Sequence, residues 1–162
     1  MSRAVLSIGS NMGDRLAMLQ RAVDSLRPWL QAVSPVYETP PWGPVEQDAF
    51  LNAVIVADDP DAAPGDWLER AHAAEEVAGR IREVRWGPRT LDVDVIAVDS
   101  VISADPTLTL PHPRAGERAF VLVPWVALDP DALLAGRPAA AWLADLPAAD
   151  VGAVRPVSGT LA

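Results

Sequence analysis

Apolar residues recur along this chain with two different periods, and the switches between them predict the order of its elements. Residues 4–8 form a short apolar run closed by Gly9, Ser10 and Asn11, the pattern of a buried strand. Leu16, Leu19, Val23 and Leu26 follow at helical spacing. That helix is expected to stop near Arg27, because Pro28 disfavours helical backbone in the residue before it. Residues 33–38 have strand composition, with Pro35 pointing to an edge strand or a bulge. Residues 50–56 read as the next strand. From Asp66, the positions Trp67, Leu68, Ala71, Ala74 and Val77 make a helical stripe, with Gly79 as its stop. Residues 91–98 return to strand composition, with carboxylates alternating against aliphatic side chains near the start.

The order βαββαβ predicts an α+β, ferredoxin-like fold, an antiparallel sheet with helices on one face. The last third is less regular. It holds an extended piece at Leu108–Leu110, an apolar segment from Phe120, and proline-led helix starts at Asp129-Pro130 and Arg137-Pro138. It reads as a C-terminal extension of one domain spanning residues 1–162.

With 162 residues, 50% of them hydrophobic, the chain can bury about two thirds of its unfolded surface, enough for a core. It has no cysteine, so neither disulfides nor thiolate–metal bonds can hold the fold. The N-terminal apolar run is too short for a secretory signal. The longest apolar stretch, residues 119–128, is broken by Pro124 and reaches half the ~20 residues of a membrane span. A cytoplasmic protein without membrane contact is expected. A net charge of −9 argues against nucleic acid as the main partner.

All thirteen basic residues are arginine. The absence of lysine removes phosphate-loop, kinase-lysine and Schiff-base mechanisms, leaving arginine, backbone and metal to bind phosphate.

Asp92 and Asp94 stand two apart on a predicted strand, so both carboxylates point to one face and can share a cation. Hard oxygen ligands of this kind suit magnesium, whose shell is completed by water and substrate phosphates. A solvated strand face explains the spacing equally well. Just upstream, Arg80, Arg82, Arg85 and Arg89 are opposed only by Glu83. Guanidinium groups bind phosphate oxygens bidentately, although pairing with Glu75 and Glu76 is an alternative use. Arg114 and Arg118 lie near His112, which is set between Pro111 and Pro113. Trp42, Phe50, Asn52, Trp86 and Phe120 offer flat faces and an amide to a planar heterocycle, or else simply fill the core. His72 lies within the second helix and needs no functional reading.

The run RWGPRTLDVDVI, residues 85–96, closely resembles the signature of the 6-hydroxymethyl-7,8-dihydropterin pyrophosphokinase family of folate biosynthesis. AVLSIGSN, ETPPWGP, FLNAV, GRIR and LPHPRAGERAFVLVPW extend the resemblance over residues 4–128. It implies a ferredoxin-like fold, ATP as co-substrate, two magnesium ions, and transfer of pyrophosphate to the pterin hydroxymethyl group with release of AMP. By motif position, Asp92 and Asp94 would ligate both ions. Glu75, Arg80, Arg82, Trp86, Arg89, His112 and Arg118 would lie on the ATP side, with Arg82 and Arg89 stabilising the transition state. Thr39, Pro40, Pro41, Trp42, Gly43, Phe50, Asn52 and Phe120 would surround the pterin. The resemblance implies small-molecule partners only, and a monomer is expected. The chain departs from some family members at Pro113, at Trp42 and in a shorter 79–86 loop. Two rivals stand beside this reading: another metal-dependent phosphoryl or nucleotidyl enzyme, and a ferredoxin-like binding module without turnover.

Overall fold

A computed structural model describes residues 2–40, 48–78 and 91–162. Strand β1 (Arg3–Ser10) leads to helix α1 (Arg15–Leu26), which Asp14 caps by accepting the amide of Ala17 at 3.1 Å. The helix stops at Arg27, as the sequence anticipates, and a single 3₁₀ turn, Arg27–Trp29, carries Pro28.

The expected strand over residues 33–38 is instead two: β2 (Leu30–Val33) and β3 (Tyr37–Thr39). Both pair with the long strand β4 (Phe50–Asp58). Pro35, which has no amide to donate, falls in the break, and Ser34 spans it by bonding the amide and carbonyl of Val54. Helix α2 (Pro64–Val77) starts on a proline, with Asp66 accepting the Ala63 amide at 2.8 Å, and is capped by Ala78. Strand β5 (Asp92–Val98) completes the βαββαβ unit, and the sheet order is β3-β4-β1-β5.

The two faces of this sheet are covered by different parts of the chain. Ala4, Leu6, Ile8, Ala53, Ile55, Val93 and Val95 pack with Leu19, Val23, Trp67, Ala71 and Ala74 of α1 and α2. Val54 and Ile96 point the other way and pack with Val121, Leu122 and Trp125 of α3 (Ala119–Leu128). The ferredoxin-like helices thus lie on one face as expected, and the C-terminal extension covers part of the opposite one.

Three further details differ from the sequence reading. Val77 is exposed, because ten residues at ~100° each place it about 80° round the helix from Trp67. Glu75, four residues after Ala71, is buried in its place. Asp129-Pro130 starts a turn, not a helix: the side chain of Asp129 accepts the Asp131 amide at 3.1 Å. A hairpin of β8 (Leu133–Leu134) and β9 (Arg137–Pro138) then closes through Ala135 and Gly136, both at positive φ. Helix α4 (Ala139–Ala144) does start directly after Pro138.

The extended piece at Leu108–Leu110 is strand β7, paired with β6 (Ser103–Asp105). Helix α5 (Ala148–Gly152) and β10 (Arg155–Pro156) end the chain, with β10 added to the outer edge of β3. Among the described residues, no helix is long and apolar enough to cross a membrane.

Candidate active site

Strand register gathers the site on the sheet face that α3 only partly covers. Tyr37 pairs with Asn52, Asn52 with Gly9, and Gly9 with Asp92, so one row crosses four strands. Two residues along, Ser7 pairs with Asp94. Directly paired residues share a face, and residues two apart on a strand do too. Asn52, Asp92 and Asp94 therefore point to the same side as Val54 and Ile96.

Opposite this row stands Arg118, at the N-terminal end of α3. Its Nη1 lies 3.9 Å from Asp94 Oδ2, and its guanidinium carbon is 5.5 Å from the centre of the Phe120 ring. Burial lowers the Arg118 pKa, while the Asp94 carboxylate acts in the opposite sense. Arginine remains charged under both influences, so the carboxylates face a fixed positive group.

His112 follows β7, and its amide donates to the Ile96 carbonyl at 2.8 Å, anchoring it to β5. Its Nδ1 accepts the Arg114 amide at 3.1 Å, which assigns the ring proton to Nε2. Burial, reinforced by the charges of Arg118 and Arg114, lowers the His112 pKa to about 4. At neutral pH the ring is an uncharged donor.

Asn52 is buried, and its Nδ2 donates to Thr39 Oγ1 at 2.7 Å. Phe50, half-buried on the same strand, pairs with Thr39. Pro40 continues outward from β3. These residues form one side of the site, and Asp92, Asp94, His112 and Arg118 form the other.

Glu75 reaches β5 from the α2 face. Its Oε2 accepts the amide of Val93 at 3.0 Å, between the two aspartates. This bond ties the outer edge of β5 to α2 and fixes the backbone from which both carboxylates project.

Arg15 and Asn11 are not among the anticipated site residues, yet they brace the same region. Arg15 Nη1 contacts Glu38 Oε2 at 3.1 Å and donates to the Ala49 carbonyl at 2.9 Å, joining β3 to the residue before β4. Asn11 Nδ2 donates to the Asp48 carbonyl at 3.0 Å. Of the anticipated site residues, Pro41, Trp42, Gly43, Arg80, Arg82, Trp86 and Arg89 lie outside the described residues, as does Arg85.

Among the described residues, no group of three or more His, Asp or Glu side chains forms a closed cation site. Two carboxylates on one strand face, with a guanidinium opposite, fit magnesium, which leaves most of its shell to water and phosphate. Carboxylates, a guanidinium and a neutral imidazole on one side, with an amide and an aromatic ring on the other, mark an α+β group-transfer enzyme. Such a site suits one phosphate-bearing substrate and one flat, polar substrate.

The model of the 7,8-dihydro-6-hydroxymethylpterin-pyrophosphokinase family matches residues 5–130. The chain belongs to this family. It is 53% identical to the 2-amino-4-hydroxy-6-hydroxymethyldihydropteridine pyrophosphokinase of Mycobacterium tuberculosis, over 96% of this chain and 89% of that protein. It is 55% identical to the Mycobacterium leprae enzyme of the same name, over 85% and 78%, and 46% identical to that of Methylorubrum extorquens, over 84% and 88%. Among solved structures, wild-type Plasmodium falciparum HPPK-DHPS with SDX-DHP superimposes with a TM-score of 0.70 at 12% identity, over 88% of this chain. The chain spans 44% of that longer protein, and the likeness concerns the fold alone.

Proposed function

We propose that this pyrophosphokinase transfers the β,γ-pyrophosphoryl unit of ATP to the hydroxymethyl oxygen of 6-hydroxymethyl-7,8-dihydropterin, releasing AMP, in folate biosynthesis. The carrying observation is the row that sets Asn52 and Asp92 on one sheet face, with Gly9 between them. It supports a pterin held by Asn52, Phe50, Phe120 and the Thr39–Gly43 segment beside phosphates held near Asp92 and Asp94.

The pterin hydroxyl attacks the β-phosphorus. An oxygen–phosphorus bond forms there, the bond from the β-phosphorus to the α-phosphate oxygen breaks, and AMP departs with that oxygen. Asp92 is the group proposed to receive the hydroxyl proton. Asp92 and Asp94 would hold two magnesium ions, which supply charge neutralisation on the phosphate oxygens. Arg118 contributes a fixed cation, and His112 an uncharged N–H, to the phosphates of ATP. Glu75, Arg80, Arg82, Trp86 and Arg89 complete the proposed nucleotide side, with Arg82 and Arg89 stabilising charge in the transition state. The enzyme is read as a single catalytic domain, a cytoplasmic monomer acting on two small molecules.

Incubation with ATP, magnesium and the pterin alcohol is expected to yield AMP only when the pterin is present. ADP, or no turnover, refutes the reaction. Asp94→Ala is expected to lose at least about 100-fold in kcat, the scale of removing one group that stabilises developing charge, while melting near the parent temperature. Parent-like activity would refute the metal assignment.

A further inference from the structure

The family model ends at residue 130, but the fold returns the C-terminal segment to the substrate face. Three observations bring it there. Strand β10 pairs with β3, placing Arg155 opposite Glu38, and the amide of Val157 donates to the Val36 carbonyl at 3.1 Å. Both edges of the short strand that delivers Thr39 are therefore held, one by β4 and the other by β10. Val157 also packs against the main core, which anchors the segment on its far side. Finally, α5 and the residues after it wall a cavity of about 230 Å³, in which Asp150, Ala153 and Val154 face Thr39, Arg118 and Phe120.

The volume decides how this cavity is read. Pockets that enclose a complete small ligand run to about 300–1,000 Å³, so a space of this size is too small to hold a whole substrate by itself. Among the residues that line it, Thr39, Pro40 and Phe120 are assigned above to the pterin and Arg118 to the phosphates. Its other wall is made by Asp150, Ala153 and Val154, with Arg114 and Glu117 contributed from the turn before α3.

We infer that the C-terminal segment, through Ala153 and Val154, is a specificity-determining wall on the pterin side of the site. This rests on the functional reading above. By bounding the space beside Phe120, the wall limits how far that ring can turn from a bound heterocycle. By pairing with β3, it fixes Thr39, and through Thr39 the amide of Asn52. Both actions fall on Phe120, Thr39 and Asn52, whereas Arg118 alone of the named lining residues is assigned to ATP, so the segment governs affinity for the pterin more than for ATP.

The test fills the space. Ala153→Trp and Val154→Trp are each expected to raise KM for the pterin at least fivefold, with KM for ATP within twofold of the parent and the melting temperature little changed. Ala148→Trp, on α5 just before these residues but outside the cavity lining, is expected to leave both constants unchanged. The inference is overturned if both cavity variants fold and keep the parent KM for the pterin, or if the two KM values rise together. An active parent with such unresponsive variants removes the wall and leaves the reaction standing. A parent without pterin-dependent AMP formation removes the reaction, and the wall with it.

Discussion

Gly9→Ala is a one-carbon change at the centre of the site, and its consequence can be worked out from distances. Gly9 lies on β1 between Asn52 and Asp92, in ordinary strand backbone, so alanine brings no conformational strain. An added Cβ would stand 2.9 Å from Asn52 Oδ1 and 3.6 Å from Phe50 Cδ1. The first distance falls roughly half an ångström short of the ~3.5 Å of normal non-bonded contact. Asn52 cannot yield freely, since it is buried and bonded to the Thr39 hydroxyl at 2.7 Å.

Overpacking of this kind costs about 1–3 kcal/mol, and a strained buried hydrogen bond adds to it. Replacing glycine in a strand returns roughly 0.5–1 kcal/mol of backbone entropy. A net destabilisation of about 1–3 kcal/mol follows, or ~2–12 °C in Tm for a chain of this size. If Asn52 reads the pterin edge, a loss of about 1–2 kcal/mol there raises KM for the pterin ~5–30-fold. KM for ATP should stay near its parent value. Thermal melts and steady-state kinetics with each substrate varied measure both effects. Adding Asn52→Ala removes the colliding atom, so the double variant should be more stable than the sum of the single effects. Full additivity, or Gly9→Ala with parent Tm and parent KM for the pterin, refutes the reasoning.

Glu75→Gln keeps an acceptor for the Val93 amide and should retain most of the stability, whereas Glu75→Ala should cost about 1–3 kcal/mol and raise the magnesium needed for half-maximal rate. Equal losses in the two variants would count against the clamp on β5. The His112 pKa of about 4 lies below the unfolded value of about 6.5, so the unfolded chain takes up its proton first as pH falls. Stability from neutral His112 is complete above pH ~6.5 and is lost on acidification toward pH ~4. Partial exposure limits it to the order of 1 kcal/mol. Urea midpoints at pH 7.5 and 4.5 should therefore separate more in the parent than in His112→Gln, and equal separations contradict the burial of the ring. The Arg70 guanidinium carbon lies 3.7 Å from the Trp29 ring centre and 4.7 Å from that of Trp67. Arg70→Lys loses the planar stacking and should cost about 1–2 kcal/mol with kcat unchanged. A parent-like melt would show that the stack contributes nothing.

The fold was legible because its periods are clean. Leu16 to Leu26 repeat every three or four residues, residues 50–56 form an apolar strand, and prolines and glycines mark most boundaries. The reading failed where local signals conflict. Pro35 demotes a strand but cannot say that β4 is long enough to pair on both sides of the break. Asp129-Pro130 looks like a helix start, yet Ala135 and Gly136 offer a tight turn that lets Leu134 reach the core beside α3. Glu75 had a signal that the stripe reading passed over: it stands four residues after Ala71 and eight after Trp67, on the buried face. A carboxylate there implies a donor waiting on another element. Arg15 and Asn11 had no such signal, because the groups they are seen to bond, the Glu38 carboxylate and the Ala49 and Asp48 carbonyls, are distant in sequence.

Sequence alone determined that Asp92 and Asp94 share a face, since side-chain direction along a strand has period two and needs no partner. It determined the family too, because the ordered motifs from AVLSIGSN to LPHPRAGERAF are specific. Only the tertiary structure decided which face the aspartates share and what shares it with them. Register across β3, β4, β1 and β5 aligns Asn52, Gly9 and Asp92, the arrival of α3 sets Arg118 opposite Asp94, and β10 folds back against β3. Those are relations between strands far apart in the chain, fixed by pairing and burial, and no local periodicity encodes them.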